Sequence, residues 1–126
     1  MAPLLMWASI LITVAALIYT TAFVQSLRKK FPQPFYLIPF GYIFDFIGTF
    51  LMYLIVDKIT WNIHTFLGIP GFILMFVTTV LGITILIRIK RRLERKKWAI
   101  WFRWFEYSAW AIWMASYVLG VYRHLI

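Results

Sequence analysis

The sequence predicts an all-α integral membrane protein, in which four transmembrane helices form a bundle of two hairpins. Three observations predict this class. Hydrophobic residues make up 63% of the chain, above the roughly 45–50% usual for soluble domains. Charged residues make up only 13%, too few to cover the surface of a water-soluble domain. Four runs with little or no charge are each long enough to cross a bilayer, which takes about 20 helical residues.

Short connections separate the four runs, and we interpret residues 1–126 as a single transmembrane domain. The predicted spans are about 4–27, 36–56, 63–87 and 98–122. Pro32 and Pro34 mark the first connection, because proline removes a backbone hydrogen bond from a helix. Pro70 lies one to two turns into the third span, where it is expected to kink the helix.

The distribution of Lys and Arg predicts the orientation. The connection 28–35 holds three and the connection 88–97 holds seven, whereas the second connection and the C-terminal tail hold one each. Basic residues are enriched in cytoplasmic loops. We therefore expect a multi-pass protein of the cytoplasmic membrane, with loops 28–35 and 88–97 in the cytoplasm and both termini outside.

The third connection is the most basic part of the chain. Its cations are Arg88, Lys90, Arg91, Arg92, Arg95, Lys96 and Lys97. We expect them to lie on anionic lipid headgroups, at about 1 kcal/mol for each cation near the surface. Docking to an acidic partner is the alternative. The net charge of +9 is thus explained by membrane orientation, and no nucleic acid is predicted as a partner.

Three ionisable residues fall within spans: Asp45 in the second, and Arg103 and Glu106 in the fourth. A charge at that depth costs roughly 2.5–3.5 kcal/mol on insertion scales, so these residues mark a site. They are expected at comparable depths, as an intramembrane polar cluster. Gly41 and Gly48 share a helical face with Asp45 and should turn it inward. One interpretation is an Asp45–Arg103 clamp between helices; the other is a proton-relay or cation site built on Asp45 and Glu106.

The two histidines, His64 and His124, both fall on the predicted outer side. His64 is a possible outer-side ligand of a haem or metal, or an interfacial residue that hydrogen-bonds loop backbone. The chain has no cysteine, which excludes disulfides and thiolate sites. It also has no nucleotide-binding loop, metalloprotease motif or nucleophile elbow. We therefore predict no catalytic residue, no metal site and no cofactor, with haem or quinone as the alternative.

The two halves of the sequence share a spacing. Asp45 follows Lys29 by sixteen residues, and Glu106 follows Lys90 by sixteen. Aromatic residues flank both acids. A parallel repeat of two hairpins would produce this pattern, and chance in so aromatic a sequence is the competing explanation.

Several short motifs carry a family resemblance. They are Ile18-Tyr19-Thr20, Phe44-Asp45 followed by Gly48-Thr49 and Met52, Asn62-Ile63-His64-Thr65 with Gly68, Leu74-Met75, and Trp110-x-Ile112-Trp113. In these motifs the chain resembles the HsmA family of small four-span bacterial membrane proteins, which have no settled activity. The resemblance implies the fold and no reaction. The family pattern includes further histidines in the third helix and at the start of the fourth, where this chain has Phe76-Val77-Thr78-Thr79 and Phe102-Arg103-Trp104-Phe105.

The leading functional expectation is a non-catalytic accessory subunit of a larger membrane complex, such as a respiratory or other redox assembly. It rests on the small size, the lack of a catalytic set and an aromatic content of 21%. A small proton- or cation-coupled carrier that uses Asp45 and Glu106 is the first alternative. A haem- or quinone-binding electron carrier is the second. The expected partners are anionic lipid headgroups and other membrane subunits or further copies of the chain.

Overall fold

A computed structural model describes residues 2–30, 33–55 and 63–125. The helices are α1 (Ala2–Leu27), α2 (Gln33–Ile55), α3 (Ile63–Lys90) and α4 (Lys96–Leu125). The described residues contain no strand, which confirms the predicted all-α class with four helices. The helices coincide with the four apolar runs. They divide into two compact units, a first hairpin of α1 and α2 and a second hairpin of α3 and α4.

The prolines are placed differently from the prediction in one respect. Pro34 belongs to the first turn of α2 instead of the connection. Proline is tolerated there, because the first amides of a helix have no partner within it. Pro39 and Pro70 lie inside α2 and α3, and both helices continue through them. Pro32 lies outside the described residues.

In the first hairpin, glycines of α2 bring the two backbones close together. A Cβ added to Gly48 would lie 2.6 Å from Ile12 Cγ1, and one added to Gly41 would lie 3.0 Å from the ring of Tyr19. Residue numbers thus rise along α2 as they fall along α1, so the two helices are antiparallel. We call the contact surface between the two helices of a hairpin its seam. Small residues let helices approach closely in lipid, where packing drives association.

In the second hairpin the glycines come from α3. A Cβ added to Gly71 would lie 3.0 Å from Trp113 Cα, and one added to Gly68 would lie 3.0 Å from Ser116 Oγ. These pairs again define an antiparallel register. The large buried side chains of this unit are Met75, Ile85, Phe102 and Trp113.

The two hairpins are built on the same pattern of buried positions. Five positions of α1 recur in α3 at a constant offset of 63 residues: Ala8 with Gly71, Ala15 with Thr78, Ala16 with Thr79, Tyr19 with Gly82, and Ala22 with Ile85. Three positions of α2 recur in α4 at an offset of 61: Gly41 with Phe102, Asp45 with Glu106, and Gly48 with Ala109. Each hairpin therefore carries its acid at the equivalent place, as the parallel-repeat interpretation requires.

The ends of α1 and α3 also match. Lys29 and Arg92 have left-handed backbone angles, with φ of 56° and 55°. In each case the following amide donates a 2.8 Å hydrogen bond to the carbonyl five residues back, the pattern of a Schellman cap. The residue equivalent to Lys29 is thus Arg92. The pairing of Lys29 with Lys90, suggested by the sequence spacing, is wrong by two positions.

Three segments of the described helices are long and apolar enough to cross a membrane: Met6–Leu27, Gln33–Leu54 and Phe66–Lys90. The chain is accordingly a membrane protein. The fourth helix is 30 residues long. Its basic start, its many Trp and Tyr residues, and Arg103 and Glu106 lower its mean hydropathy. The crossing predicted at 98–122 stays a prediction.

Candidate functional site

The carboxyl group of Asp45 is enclosed in the seam of the first hairpin, where only 1% of the residue is exposed. The hydroxyl of Tyr19 donates to Oδ2 at 2.9 Å, and the hydroxyl of Thr49 donates to Oδ1 at 3.3 Å. Each oxygen therefore accepts at least one hydrogen bond. A buried acid is costly unless it is hydrogen-bonded, so this arrangement stabilises Asp45 in place.

The local sequence explains why Asp45 points into the seam. It lies on the face of α2 that carries Gly41 and Gly48, all three of which are buried. The register of the hairpin places Ala15 opposite Asp45, and Ala15 is fully buried. The small side chain leaves room for the carboxyl group, and Tyr19 reaches it from one turn further along α1. The prediction that the glycine face turns Asp45 inward is confirmed.

Glu106 is enclosed in the seam of the second hairpin, with 0% exposure. Gly71 of α3 packs against Trp113 of α4. Thr78 lies seven residues after Gly71, and Glu106 lies seven residues before Trp113. Seven residues are about two helical turns, so these two residues face each other. Thr78 is also fully buried, and its hydroxyl donates to the carbonyl of Leu74 at 2.8 Å.

Each seam has one buried aromatic ring near its acid, but the ring comes from the first helix in the first hairpin and from the second helix in the second hairpin. In the first, Tyr19 of α1 packs on Gly41 of α2. At the equivalent positions of the second, α3 has Gly82 and α4 has Phe102, both buried. The second seam therefore keeps an aromatic ring at this level, but the ring has no hydroxyl group.

Of the predicted polar cluster, Asp45 belongs to the first hairpin, and Arg103 and Glu106 belong to the second. Arg103 lies on α4, three residues before Glu106, and is partly exposed. The Asp45–Arg103 clamp, which would link the hairpins, stays a prediction. The hydrogen bonds described for Asp45 come from its own hairpin, through Tyr19 and Thr49.

The basic connection is an ordered turn with its own contacts. The guanidinium of Arg88 lies over the ring of Trp98, 5.4 Å from the centroid, and its Nε donates to the carbonyl of Glu94. The carboxylate of Glu94 accepts from the amide of Lys96 at 2.8 Å, which caps the start of α4. The other cations of this connection are exposed: Lys90, Arg91, Arg92, Arg95, Lys96 and Lys97. The turn thus presents a dense cationic surface.

His64 is the predicted outer-side ligand. The side chains of His64 and His124 lie outside the part of the chain whose side chains the structure describes. Within that part, no three His, Cys, Asp or Glu residues come together as a metal site. The haem or metal interpretation stays a prediction.

Tyr19 is the functional neighbour that the sequence reasoning missed. It was noted only as part of a family motif, although its spacing from Ala15 and Ala22 puts it on the small-residue face of α1. The position of Thr78 opposite Glu106 was likewise not predicted. Both omissions arise because pairing across a seam depends on register, which a single helix pattern does not contain.

Comparison with known proteins adds no relative to this description. No family model, no curated protein and no solved structure matches the chain. The likeness to the HsmA family therefore stays an interpretation of short motifs.

Proposed function

We propose that the chain is a non-catalytic accessory subunit of a larger membrane complex, such as a respiratory or other redox assembly. The observation that supports this is the division between seams and outer surfaces. Asp45 and Glu106 are enclosed in their own hairpins, at 1% and 0% exposure. The outer surfaces carry large aromatic side chains instead, among them Tyr53, Phe66 and Trp104.

Such outer surfaces suit contact with other membrane helices. Association within a bilayer depends on close packing, because lipid is as apolar as the helices themselves. Aromatic side chains bring large contact areas with specific geometry. An acid that is sealed into a seam and already hydrogen-bonded, as Asp45 is, offers little to a passing substrate.

The proposed orientation places loops 28–35 and 88–97 in the cytoplasm. It requires that α2 and α3 cross the membrane, and both contain segments suited to crossing. A C-terminus outside the cell additionally requires α4 to cross. The positive-inside rule favours the cytoplasmic membrane as the location, and the exposed cations of 88–97 favour anionic headgroups as a partner.

Photo-crosslinking in native membranes tests the subunit proposal. Benzoylphenylalanine is introduced at exposed Phe46, Phe76 or Trp104, and at fully buried Phe102 as the matched control. We expect at least one exposed position to give a discrete adduct with another membrane protein, and Phe102 to give adducts only within its own chain. Lipid adducts alone at all three exposed positions, with a monomer after purification in mild detergent, would contradict the proposal.

One observation favours a second function, a small proton- or cation-coupled carrier. Asp45 and Glu106 occupy equivalent positions in two hairpins of the same pattern. Many transporters are built from such repeats, with ionisable groups inside. Proteoliposomes of the full chain should then show ion flux that is lost in Asp45→Asn and retained in Thr21→Val, which changes an exposed hydroxyl on α1. A subunit without transport activity predicts no flux in any of the three proteins.

A further inference from the structure

Within the first hairpin, a groove lies along the last two turns of α1. It has a volume of about 340 Å³. The described residues that line it are Thr20, Thr21, Val24, Gln25, Arg28 and Lys30. Its volume falls within the roughly 300–1,000 Å³ that is usual for small-molecule sites. We call this feature the α1 groove.

The α1 groove runs from the apolar part of the span to its charged end. The segment suited to crossing a membrane is Met6–Leu27, so Arg28 and Lys30 lie just beyond it. Thr20 lies about 12 Å further in than Arg28, at about 1.5 Å per residue along the helix. One end of the groove is therefore at the level of lipid headgroups, and the other is at the level of acyl chains.

The charged end of the groove is cationic. The Schellman cap at Lys29 turns the chain back, and the amide of Lys30 donates to the carbonyl of Gln25 at 2.8 Å. This turn brings Lys30 to the groove that Arg28 also lines. No acid is among the described residues of the lining, and the nearby Asp45 is enclosed in the seam. The described lining thus combines two cations at the headgroup level with uncharged side chains deeper in.

In the second hairpin, the protein uses the equivalent position for contacts of its own. At the offset of 63 residues, Gln25 corresponds to Arg88. The guanidinium of Arg88 lies 5.4 Å from the centroid of the Trp98 ring, and its Nε donates to the carbonyl of Glu94. The first hairpin has the shorter, uncharged Gln25 at this place and keeps a groove beside it. The basic ends of the two hairpins are therefore not interchangeable.

We propose that the α1 groove binds the headgroup of an anionic phospholipid, with the phosphodiester between Arg28 and Lys30. Arginine and lysine donate charge-assisted hydrogen bonds to phosphate oxygens. Leu17 and Val24 lie on the same face of α1 as Arg28, and they are 65% and 38% exposed. An acyl chain packs along this apolar strip, which a free phosphate ion cannot use. The proposal does not depend on the accessory-subunit function.

Native mass spectrometry of the full-length protein, released from detergent, tests the proposal. The probes are phosphatidylglycerol, phosphatidylcholine with the same acyl chains, and soluble glycerol phosphate. We expect phosphatidylglycerol to remain bound and the other two probes to be lost. Equal retention of the two lipids would overturn the role of charge. Adducts of glycerol phosphate as abundant as those of phosphatidylglycerol would overturn the lipid as the ligand.

Matched variants at exposed positions locate the site, and far-UV circular dichroism checks that the helices remain. Val24→Trp fills the groove without a change of charge, and Arg28→Gln removes a phosphate donor. Each should weaken phosphatidylglycerol binding by about tenfold or more. The controls are Ile87→Trp and Arg91→Gln, at the equivalent positions of the second hairpin, and each should weaken binding less than its counterpart. Unchanged binding in Val24→Trp, or equal losses in Arg28→Gln and Arg91→Gln, would overturn the proposal.

Discussion

The phenol of Tyr19 on α1 and the carboxyl of Asp45 on α2 are joined by a 2.9 Å hydrogen bond across the seam of the first hairpin. Twenty-six residues separate them in the sequence. The hydrogen bond links α1 and α2 at the point where the carboxyl group of Asp45 is buried among apolar side chains. It also distinguishes this hairpin from the second, where the same level has a ring without a hydroxyl.

Tyr19→Phe should destabilise the protein by about 1–3 kcal/mol, the usual cost of removing one partner from a buried hydrogen bond. The ring still packs on Gly41, so the loss reports the hydroxyl alone. The measurement is thermal unfolding in detergent, followed by far-UV circular dichroism. Tyr53→Phe is the matched control, because Tyr53 is 64% exposed. Equal midpoints for the two variants would show that the hydrogen bond contributes nothing measurable.

Gly71→Ala should destabilise the second hairpin by about 1–3 kcal/mol, through overpacking of its seam. The added Cβ would lie 3.0 Å from Trp113 Cα and 3.1 Å from its amide nitrogen, and backbone atoms cannot rotate away. The same thermal unfolding experiment measures the effect.

Gly68→Ala provides the comparison for this prediction. Its Cβ would meet chiefly the hydroxyl of Ser116, at 3.0 Å, which can turn aside. Alanine also favours the helix over glycine by about 1 kcal/mol. This variant should be neutral or stabilised, and a loss as large as that of Gly71→Ala would show that backbone contact is not the cause.

Replacing the left-handed residue at a helix end with glycine should stabilise the protein. A non-glycine residue in this conformation costs about 1–2 kcal/mol. Glycine removes this cost, but its larger loss of chain entropy on folding offsets part of the gain. Lys29→Gly and Arg92→Gly should each raise the unfolding midpoint, by the equivalent of up to about 1 kcal/mol. Arg91→Gly is the control, because Arg91 precedes the left-handed position and has no such strain to relieve. This variant should lower the unfolding midpoint. A lower midpoint for all three variants would contradict the prediction.

Cysteine labelling in intact cells tests the orientation. The natural chain has no cysteine, so a single introduced thiol is read without background. A membrane-impermeant maleimide should fail to label Lys29→Cys and Arg92→Cys until the cells are opened, and should label Asn62→Cys at once. Early labelling of the two basic connections would place them outside and reverse the predicted topology.

The sequence supports prediction of the helices better than prediction of their contacts. Long apolar runs located all four helices, because a span must satisfy its backbone polar groups within itself. The face that carries Asp45 followed from the spacing of Gly41 and Gly48. The hydrogen bond from Tyr19 did not follow, because it depends on the offset between two antiparallel helices. The matching of Asp45 with Glu106 was visible as a spacing. The accompanying pairing of Lys29 with Lys90 failed because the equivalent buried positions on either side of the turn, Ala22 and Gly41 against Ile85 and Phe102, are two residues closer in the second hairpin.

The exchange of ring and glycine between the seams makes the two helices of each hairpin complementary in bulk. Through the same faces and at the same level, α1 and α4 would bring Tyr19 against Phe102, and the two rings would collide. Likewise α2 and α3 would bring Gly41 against Gly82 and leave a void. A bilayer offers no hydrophobic preference among such similar helices, so shape must discriminate between them. Complementary bulk thus favours the pairings α1–α2 and α3–α4 that form the two hairpins.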